Sequence, residues 1–199
     1  MTAMSRRAKS WLASVSIVAA IFATGCQPGQ SSGTEIISDS DGTQAMTDYL
    51  DVQLIKGSCT VKEVMTTFSC RGLPVLPVDA RKMPFIARNV ELAWDSGLPG
   101  LLTMNRSKQK ANRALACPDS FPTKHGGQCD EYPMASTDEG GSGARTEEVP
   151  ARENQCQGGS FVRRYPKDGK QFLVIILYPD QIASGPFTGK DIAKDRGSC

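Results

Sequence analysis

Gln171–Tyr178 reads Q-F-L-V-I-I-L-Y, and this stretch decides the fold class. Six consecutive apolar residues between polar neighbours are too few for a membrane span and predict a β-strand that is buried on both faces. Upstream, Asn105–Cys117 contains no glycine or proline and many good helix formers, which predicts a basic helix that ends before Pro118. The sequence has no internal repeats, and it predicts both a buried central strand and a helix. The expected class is therefore a small α+β domain.

The other elements are predicted from local pattern. Turn residues Gly57–Ser58 separate two segments that suit strands, and a third candidate strand lies further along. Prolines between the second and third segments are expected to prevent regular structure there. The predicted strands are Tyr49–Lys56, Val61–Phe68 and Asn89–Trp94, and the interrupting prolines are Pro74, Pro77 and Pro84.

Charge and composition exclude several classes of protein. The 199-residue chain has a formal net charge of +2, and without its first 25 residues it holds 20 basic and 21 acidic residues. This balance excludes a generally basic nucleic-acid coat, so a nucleic-acid site would be local or would use a metal ion. A single histidine excludes zinc sites that need several imidazoles.

The amino terminus has the pattern of an export signal. A basic segment precedes the 13-residue apolar run Trp11–Ala23, which is too short for a transmembrane helix and predicts a signal peptide over residues 1–25. Ala23-Thr24-Gly25-Cys26 resembles a bacterial lipobox, with Cys26 as the lipidated residue; the alternative is ordinary secretion. Residues 26–45 are polar and predict a flexible tether, so the folded unit is expected to be 46–199.

Six cysteines remain if Cys26 carries a lipid. An even count in an exported chain predicts three disulfides, although fifteen pairings are possible. We favour the pairing between neighbours in sequence. The expected bridges are Cys59–Cys70, Cys117–Cys129 and Cys156–Cys199.

Residues 121–159 are rich in glycine, proline and acids, and they have little core-forming pattern. Seven acidic residues lie in this segment, while seven basic residues lie in each of the flanks 81–113 and 163–196. In such an arrangement the acidic residues can bind a divalent cation, and the cation and the basic flanks can together bind a polyanion. The alternative is a solvated acidic loop.

Particular motifs in this segment resemble those of the NucA/NucB family of secreted bacterial deoxyribonucleases. Cys129-Asp130-Glu131-Tyr132-Pro133 is followed by Glu139-Gly140-Gly141, Gly143-Ala144 and Glu153-Asn154, in the family's order and at similar spacing. The resemblance is strongest over residues 105–178. Tyr132 and Glu153 stand where members of the family often have tryptophan and aspartate.

The resemblance implies a ββα-metal-like core and roles for individual residues. Asp130 becomes the general base, Asn154 a metal ligand, and Glu131 a second ligand or an orienting residue. Oxygen donors of this kind suit Mg²⁺ or Mn²⁺. Glu139 and Glu153 are further candidate ligands, and Glu147 is the weakest. The expected phosphate-binding residues are Arg113, Arg145, Arg163 and Arg164.

His125, the single imidazole, lies five residues before Asp130 and is expected to be an exposed loop residue. Together with the predicted export signal and lipobox, the resemblance leads us to expect a monomeric, lipid-anchored, extracytoplasmic endonuclease that cleaves DNA with little sequence preference. The competing hypothesis is a non-catalytic, disulfide-rich surface lipoprotein that binds a partner or polymer. In that protein the acidic loop would hold a structural cation.

Overall fold

The computed structural model describes residues 32–197, which form an α+β domain around one mixed sheet. The signal peptide and the Cys26 lipidation site predicted above lie outside these residues. The strands are Thr34–Ser38 (β1), Gln44–Asp48 (β2), Ser69–Cys70 (β3), Leu73–Asp79 (β4), Leu101–Thr103 (β5), Gln128–Tyr132 (β6), Arg145–Val149 (β7) and Gln171–Leu177 (β8). The helices are Val61–Thr67 (α1), Pro84–Asp95 (α2), Gln109–Ala116 (α3) and Ala151–Phe161 (α4).

Strand β8 is the centre of the sheet, as its sequence predicts. It pairs with β4 in parallel on one side, and with β2 and β5 in antiparallel fashion on the other. Phe172, Val174 and Ile176 enter one hydrophobic cluster, whereas the alternate residues enter the second cluster. Both faces of β8 are therefore buried, which confirms the prediction from its continuous apolar run.

The three strands predicted upstream of Asn105 are wrong. Val61–Thr67 is a helix because Thr60 accepts a hydrogen bond from the Glu63 amide, 3.0 Å away, as an N-cap. Asn89–Trp94 belongs to helix α2, whose first residue is Pro84, a favoured starting position for proline. Tyr49–Lys56 forms turns and one short 3₁₀ helix instead of a strand.

Strand β4 contains Pro74 and Pro77, which were expected to prevent regular structure. The Val75 amide donates to the Phe68 carbonyl on the β3 side, at 2.9 Å. Pro77 lies two residues further along the strand, so its nitrogen faces the same side as the Val75 amide. The two-residue strand β3 pairs only with Leu73 and Pro74 and does not extend to Pro77. No amide hydrogen is needed there, and a proline is tolerated as it is at a sheet edge.

The predicted tether over residues 26–45 is wrong for residues 34–45. Strand β1 pairs with β2 through a tight turn that contains Asp41-Gly42, a common hairpin turn sequence. Ile37 is buried while Ile36 is exposed, so the alternation that a half-buried strand needs is present. The ordered domain thus begins earlier than the sequence predicts.

Two of the predicted disulfides are present, Cys59–Cys70 and Cys117–Cys129. Cys156 is also disulfide-bonded, but its predicted partner Cys199 lies outside the described residues. No helix within residues 32–197 has both the length and the hydrophobicity to cross a membrane.

Candidate active site

Strands β6 and β7 and helix α4 form a compact ββα unit beside the main sheet. The two strands pair in antiparallel fashion with Asp130 opposite Glu147, and α4 begins two residues after β7 ends. Helix α2 packs against both strands, and Val149 and Phe161 of this unit enter the main hydrophobic cluster. The segment that looked like an irregular loop is therefore mostly ordered, and it matches the ββα core that the resemblance implies.

Asp130 lies on β6 with its carboxyl group buried. The residue is 2 % exposed, and its Oδ2 atom accepts a hydrogen bond from the Asn89 side-chain amide at 2.9 Å. Burial raises the pKa of Asp130 to about 7, while hydrogen bonds from Asn89 and Gln157 lower it in part. A pKa near 7 is the range in which a carboxylate can accept a proton at neutral pH.

A cleft of about 300 Å³ lies between α3, the end of β6 and helix α4. Glu131 and Arg113 form an ion pair on its wall, and the Arg113 guanidinium also donates to the Cys129 carbonyl at 2.8 Å. Burial raises the pKa of Glu131, and Arg113 opposes this shift. The Arg113 side chain remains 41 % exposed, so it can also reach an anion in the cleft.

Asn154 lies in the first turn of α4 and also lines the cleft. Its side-chain NH₂ group donates to the Cys129 carbonyl at 3.3 Å and to Gln128 Oε1 at 3.1 Å. These bonds orient the amide, and its Oδ1 atom accepts no hydrogen bond from any residue within 32–197. Helix α4 begins at Ala151, so Asn154 does not cap it and the oxygen is available as a ligand.

Two residues of the cleft, Gln157 and Tyr165, were missed by the sequence analysis. Gln157 lines the cleft, and its side chain lies near enough to the buried Asp130 carboxylate to lower the pKa of that group. Burial raises the pKa of Tyr165 to about 12, so its hydroxyl stays protonated and can donate a hydrogen bond. Gln157 follows Asn154 by one helical turn, which is the signal that could have identified it.

The donor set of the cleft fits a hydrated divalent ion. Among residues 32–197 no three His, Cys, Asp or Glu side chains lie close enough to hold a metal. The acidic loop residues thus do not converge on a protein-only cage. A divalent ion held by Asn154 Oδ1 and the Glu131 carboxylate would take its remaining ligands from water and from a phosphate group, as Mg²⁺ commonly does.

Glu153 and Glu139 do not reach the cleft, although both were expected as candidate ligands. Glu153 is fully buried, and its Oε2 atom accepts the Phe85 and Ile86 amides at 3.0 and 3.2 Å. Glu139 accepts the amide of Thr103 at the end of β5, at 2.9 Å. Both carboxylates hold backbone amides of neighbouring elements, and we leave them out of the proposed site.

Other predicted residues also lie elsewhere. Arg145 forms an ion pair with Glu147, and Arg88 of α2 forms a second one with the same carboxylate. Both ion pairs lie on the side of the ββα unit that faces α2. Arg163 and Arg164 lie in the turn that follows α4, and they line a concave surface separate from the cleft. His125 is an exposed loop residue, as predicted, and its backbone amide donates to Glu148 at 2.9 Å.

The turn after β6 depends on two glycines. A Cβ atom on Gly140 would lie 2.3 Å from the Met134 carbonyl oxygen, and one on Gly141 would lie 2.6 Å from Asn112 Oδ1. The Asn112 side chain in turn donates to the carbonyls of Ala135 and Thr137. This close contact holds α3, and with it Arg113, against the end of β6.

A buried carboxylate on the first strand and an amide on the helix of a ββα unit are the arrangement expected of ββα-metal nucleases. Residues 96–175 match the family model of deoxyribonuclease NucA/NucB, which confirms the resemblance drawn from the motifs. The chain is also similar to the DNA-entry nuclease of Bacillus subtilis (strain 168). The two are 29 % identical over 128 residues, which cover 63 % of this chain and 86 % of that protein.

Proposed function

We propose that the protein is a metal-dependent endonuclease that hydrolyses phosphodiester bonds of DNA with little sequence preference. The observation that carries this proposal is the buried Asp130 carboxylate, with its pKa raised to about 7, next in sequence to Glu131 of a cleft that also holds Arg113 and Asn154. The family match and the similarity to a DNA-entry nuclease support DNA as the substrate.

In the proposed mechanism Asp130 accepts a proton from water while the water oxygen bonds to phosphorus; the bond from phosphorus to the 3′ oxygen breaks, and the released 3′ oxygen takes a proton from solvent. Asn89 and Gln157 hold its carboxylate in place, and the apolar surroundings keep it basic enough at neutral pH. Arg113, oriented by Glu131, binds the phosphate that is cleaved. The Tyr165 hydroxyl donates a hydrogen bond to a phosphate or leaving oxygen.

A divalent ion, when bound, would stabilise negative charge on the phosphoryl and leaving 3′ oxygens. Asn154 Oδ1 and Glu131 are the residues that would hold it. Mg²⁺ and Mn²⁺ fit this all-oxygen donor set. Contacts to phosphates by arginine carry no sequence information, which is why little sequence preference is expected.

We also propose that the protein acts outside the cytoplasm, as a monomer anchored through a lipid on Cys26. The two described disulfides support an oxidising compartment. Cys26→Ser should release the protein from membranes into the medium or periplasm. Unchanged membrane partition of this variant would contradict the lipid anchor.

Incubation of supercoiled plasmid with the purified protein tests the nuclease directly. Nicked and linear forms should accumulate with Mg²⁺ or Mn²⁺, and EDTA should stop the reaction. The Asp130→Asn variant, prepared in parallel, excludes a contaminating nuclease as the source. A protein that leaves plasmid intact with both metals would favour the non-catalytic lipoprotein.

A further inference from the structure

The face of α4 that points away from the cleft borders a second concave surface. We name this the arginine groove; it has a volume of about 520 Å³ and is lined by Phe68, Gln155, the disulfide-bonded Cys156, Gly159, Ser160, Arg163 and Arg164. No described residue that lines it is a carboxylate, and neither arginine forms an ion pair with any residue within 32–197. The groove therefore presents two positive charges to an anionic ligand.

The arginine groove also contains an ordered pair of a guanidinium and an aromatic ring. The Arg164 guanidinium lies 4.2 Å from the centroid of the Phe68 ring, and its Nη1 atom donates to the Ser160 carbonyl at 3.0 Å. Phe68 adopts a left-handed backbone with φ of 52°, which is strained for a bulky residue. The fold thus holds the ring under Arg164, where stacked guanidinium and aromatic groups suit nucleic acid.

At the boundary between the cleft and the arginine groove, helix α4 has two consecutive glycines, which carry no side chain beyond the backbone. Gly158 lines the cleft and Gly159 lines the groove, although glycine is a poor helix former. A Cβ atom on either glycine would meet nothing within 4 Å, so packing inside the protein does not require them. Gln155 and Val162, one turn before and after, flank this bare strip, which leaves a low crossing point over the helix.

We propose that the strand of DNA in the cleft continues over Gly158–Gly159 and that the arginine groove binds the phosphates flanking the one that is cleaved. The topology supports this path, because residues of the same helix, α4, line both the cleft and the arginine groove. The inference rests on the proposed nuclease function, but it concerns binding rather than cleavage. The arginine groove would therefore increase the affinity for long strands, whereas cleavage would take place in the cleft.

Binding of a 20-nucleotide single strand, measured by fluorescence anisotropy, tests the arginines. The reference protein is the full chain with Asp130→Asn, and the test protein carries Arg163→Gln and Arg164→Gln in addition. Both are measured at several salt concentrations without divalent metal. Losing two charge-assisted phosphate contacts should weaken binding roughly ten-fold or more. It should also reduce the slope of log K against log salt by about 1.4, since single strands give about 0.7 per phosphate.

The charge-matched control replaces Lys190 and Lys194 by glutamine, because both are exposed and line neither the cleft nor the arginine groove. An equal loss of affinity and slope in this control would overturn the proposal, since binding would then follow net charge alone. An unchanged affinity in the arginine variant would overturn it as well.

The bare strip is tested by Gly159→Gln, with Gly185→Gln as the control, because a Cβ atom on Gly185 also meets nothing within 4 Å. The Gly159 variant should melt at the same temperature as the parent or higher, yet bind the 20-mer more weakly. Equal affinity of both variants and the parent would show that no strand crosses there. If plasmid cleavage fails but groove binding responds as expected, the nuclease proposal falls and the groove stands as a DNA-binding site.

Discussion

Asp130→Asn should abolish most activity and, at neutral and alkaline pH, make the protein more stable. Asparagine keeps the size of the side chain and an oxygen that can accept the Asn89 hydrogen bond. It removes the carboxylate that takes the proton from water. Loss of a general base should lower the rate of DNA cleavage roughly 10²–10⁴-fold.

The gain in stability follows from the buried carboxyl group. Burial raises the pKa of Asp130 from 3.8 to about 7, so the folded state binds this proton more tightly than the unfolded state. The wild type therefore loses stability as pH rises from about 4 to about 7, and the loss is constant above that. At about 1.4 kcal/mol for each tenfold change in proton affinity, the full difference is about 4 kcal/mol.

The assay is urea unfolding of both proteins at pH 4.5, 6 and 8, with plasmid cleavage measured on the same preparations. The difference in the free energy of unfolding, variant minus wild type, should grow with pH and level off above pH 7. A difference that does not change with pH would show that Asp130 ionises like an exposed carboxylate. Activity near the wild-type rate would show that another group is the base; a dead His125→Ala variant would then point to the imidazole.

Asn154→Ala should weaken metal affinity, so that excess Mn²⁺ restores part of the cleavage rate, whereas Asp130→Asn should not respond; equal behaviour of both variants would contradict the separate roles. Glu153→Ala should destabilise the protein by about 2–6 kcal/mol in urea unfolding, because two buried amides of α2 lose their acceptor. Glu153→Gln should keep that acceptor, and because the pKa of Glu153 is raised to about 8, it should gain stability over the wild type as pH rises toward 8. Replacing Cys117 and Cys129 by serine should cost about 2–5 kcal/mol and also lower activity, since that bridge joins the end of α3 to β6; loss of stability with full activity would show that the position of Arg113 does not depend on it.

The sequence predicts the elements that carry strong local signals. Strand β8 was predicted from its apolar run, helix α3 from its composition, and two disulfides from neighbouring cysteines. Helix α1 was mistaken for a strand because β-branched residues outweighed the Thr60–Glu63 capping pattern. Strand β4 was missed because tolerance of its prolines depends on how far β3 extends, and this is a tertiary property.

The candidate site shows the same division. Asp130, Glu131 and Asn154 were identified through short motifs; Glu131 and Asn154 line one cleft, whereas Asp130 is buried on the same strand as Glu131 and does not line it. Glu153 belongs to the same motif as Asn154, yet adjacent residues of a helix point in different directions. Glu153 contacts α2, whereas Asn154 lines the cleft. Asn89, which holds Asp130, lies 41 residues upstream and outside the segment that matches the family model. No local pattern could have joined the two, because their contact arises only when α2 packs on β6.

The site also explains why a small domain carries disulfides close to it. A carboxylate buried on β6 opposes folding at neutral pH, and Glu153, buried on α4, does the same. Both groups lie within the ββα unit, whose two-stranded sheet does not pair with the main one. The Cys117–Cys129 bridge fixes β6 to α3, and the disulfide at Cys156 constrains α4. Cross-links placed here stabilise the fold against two buried carboxylates, of which the proposed chemistry uses only Asp130, so reduction should loosen this unit before the main sheet.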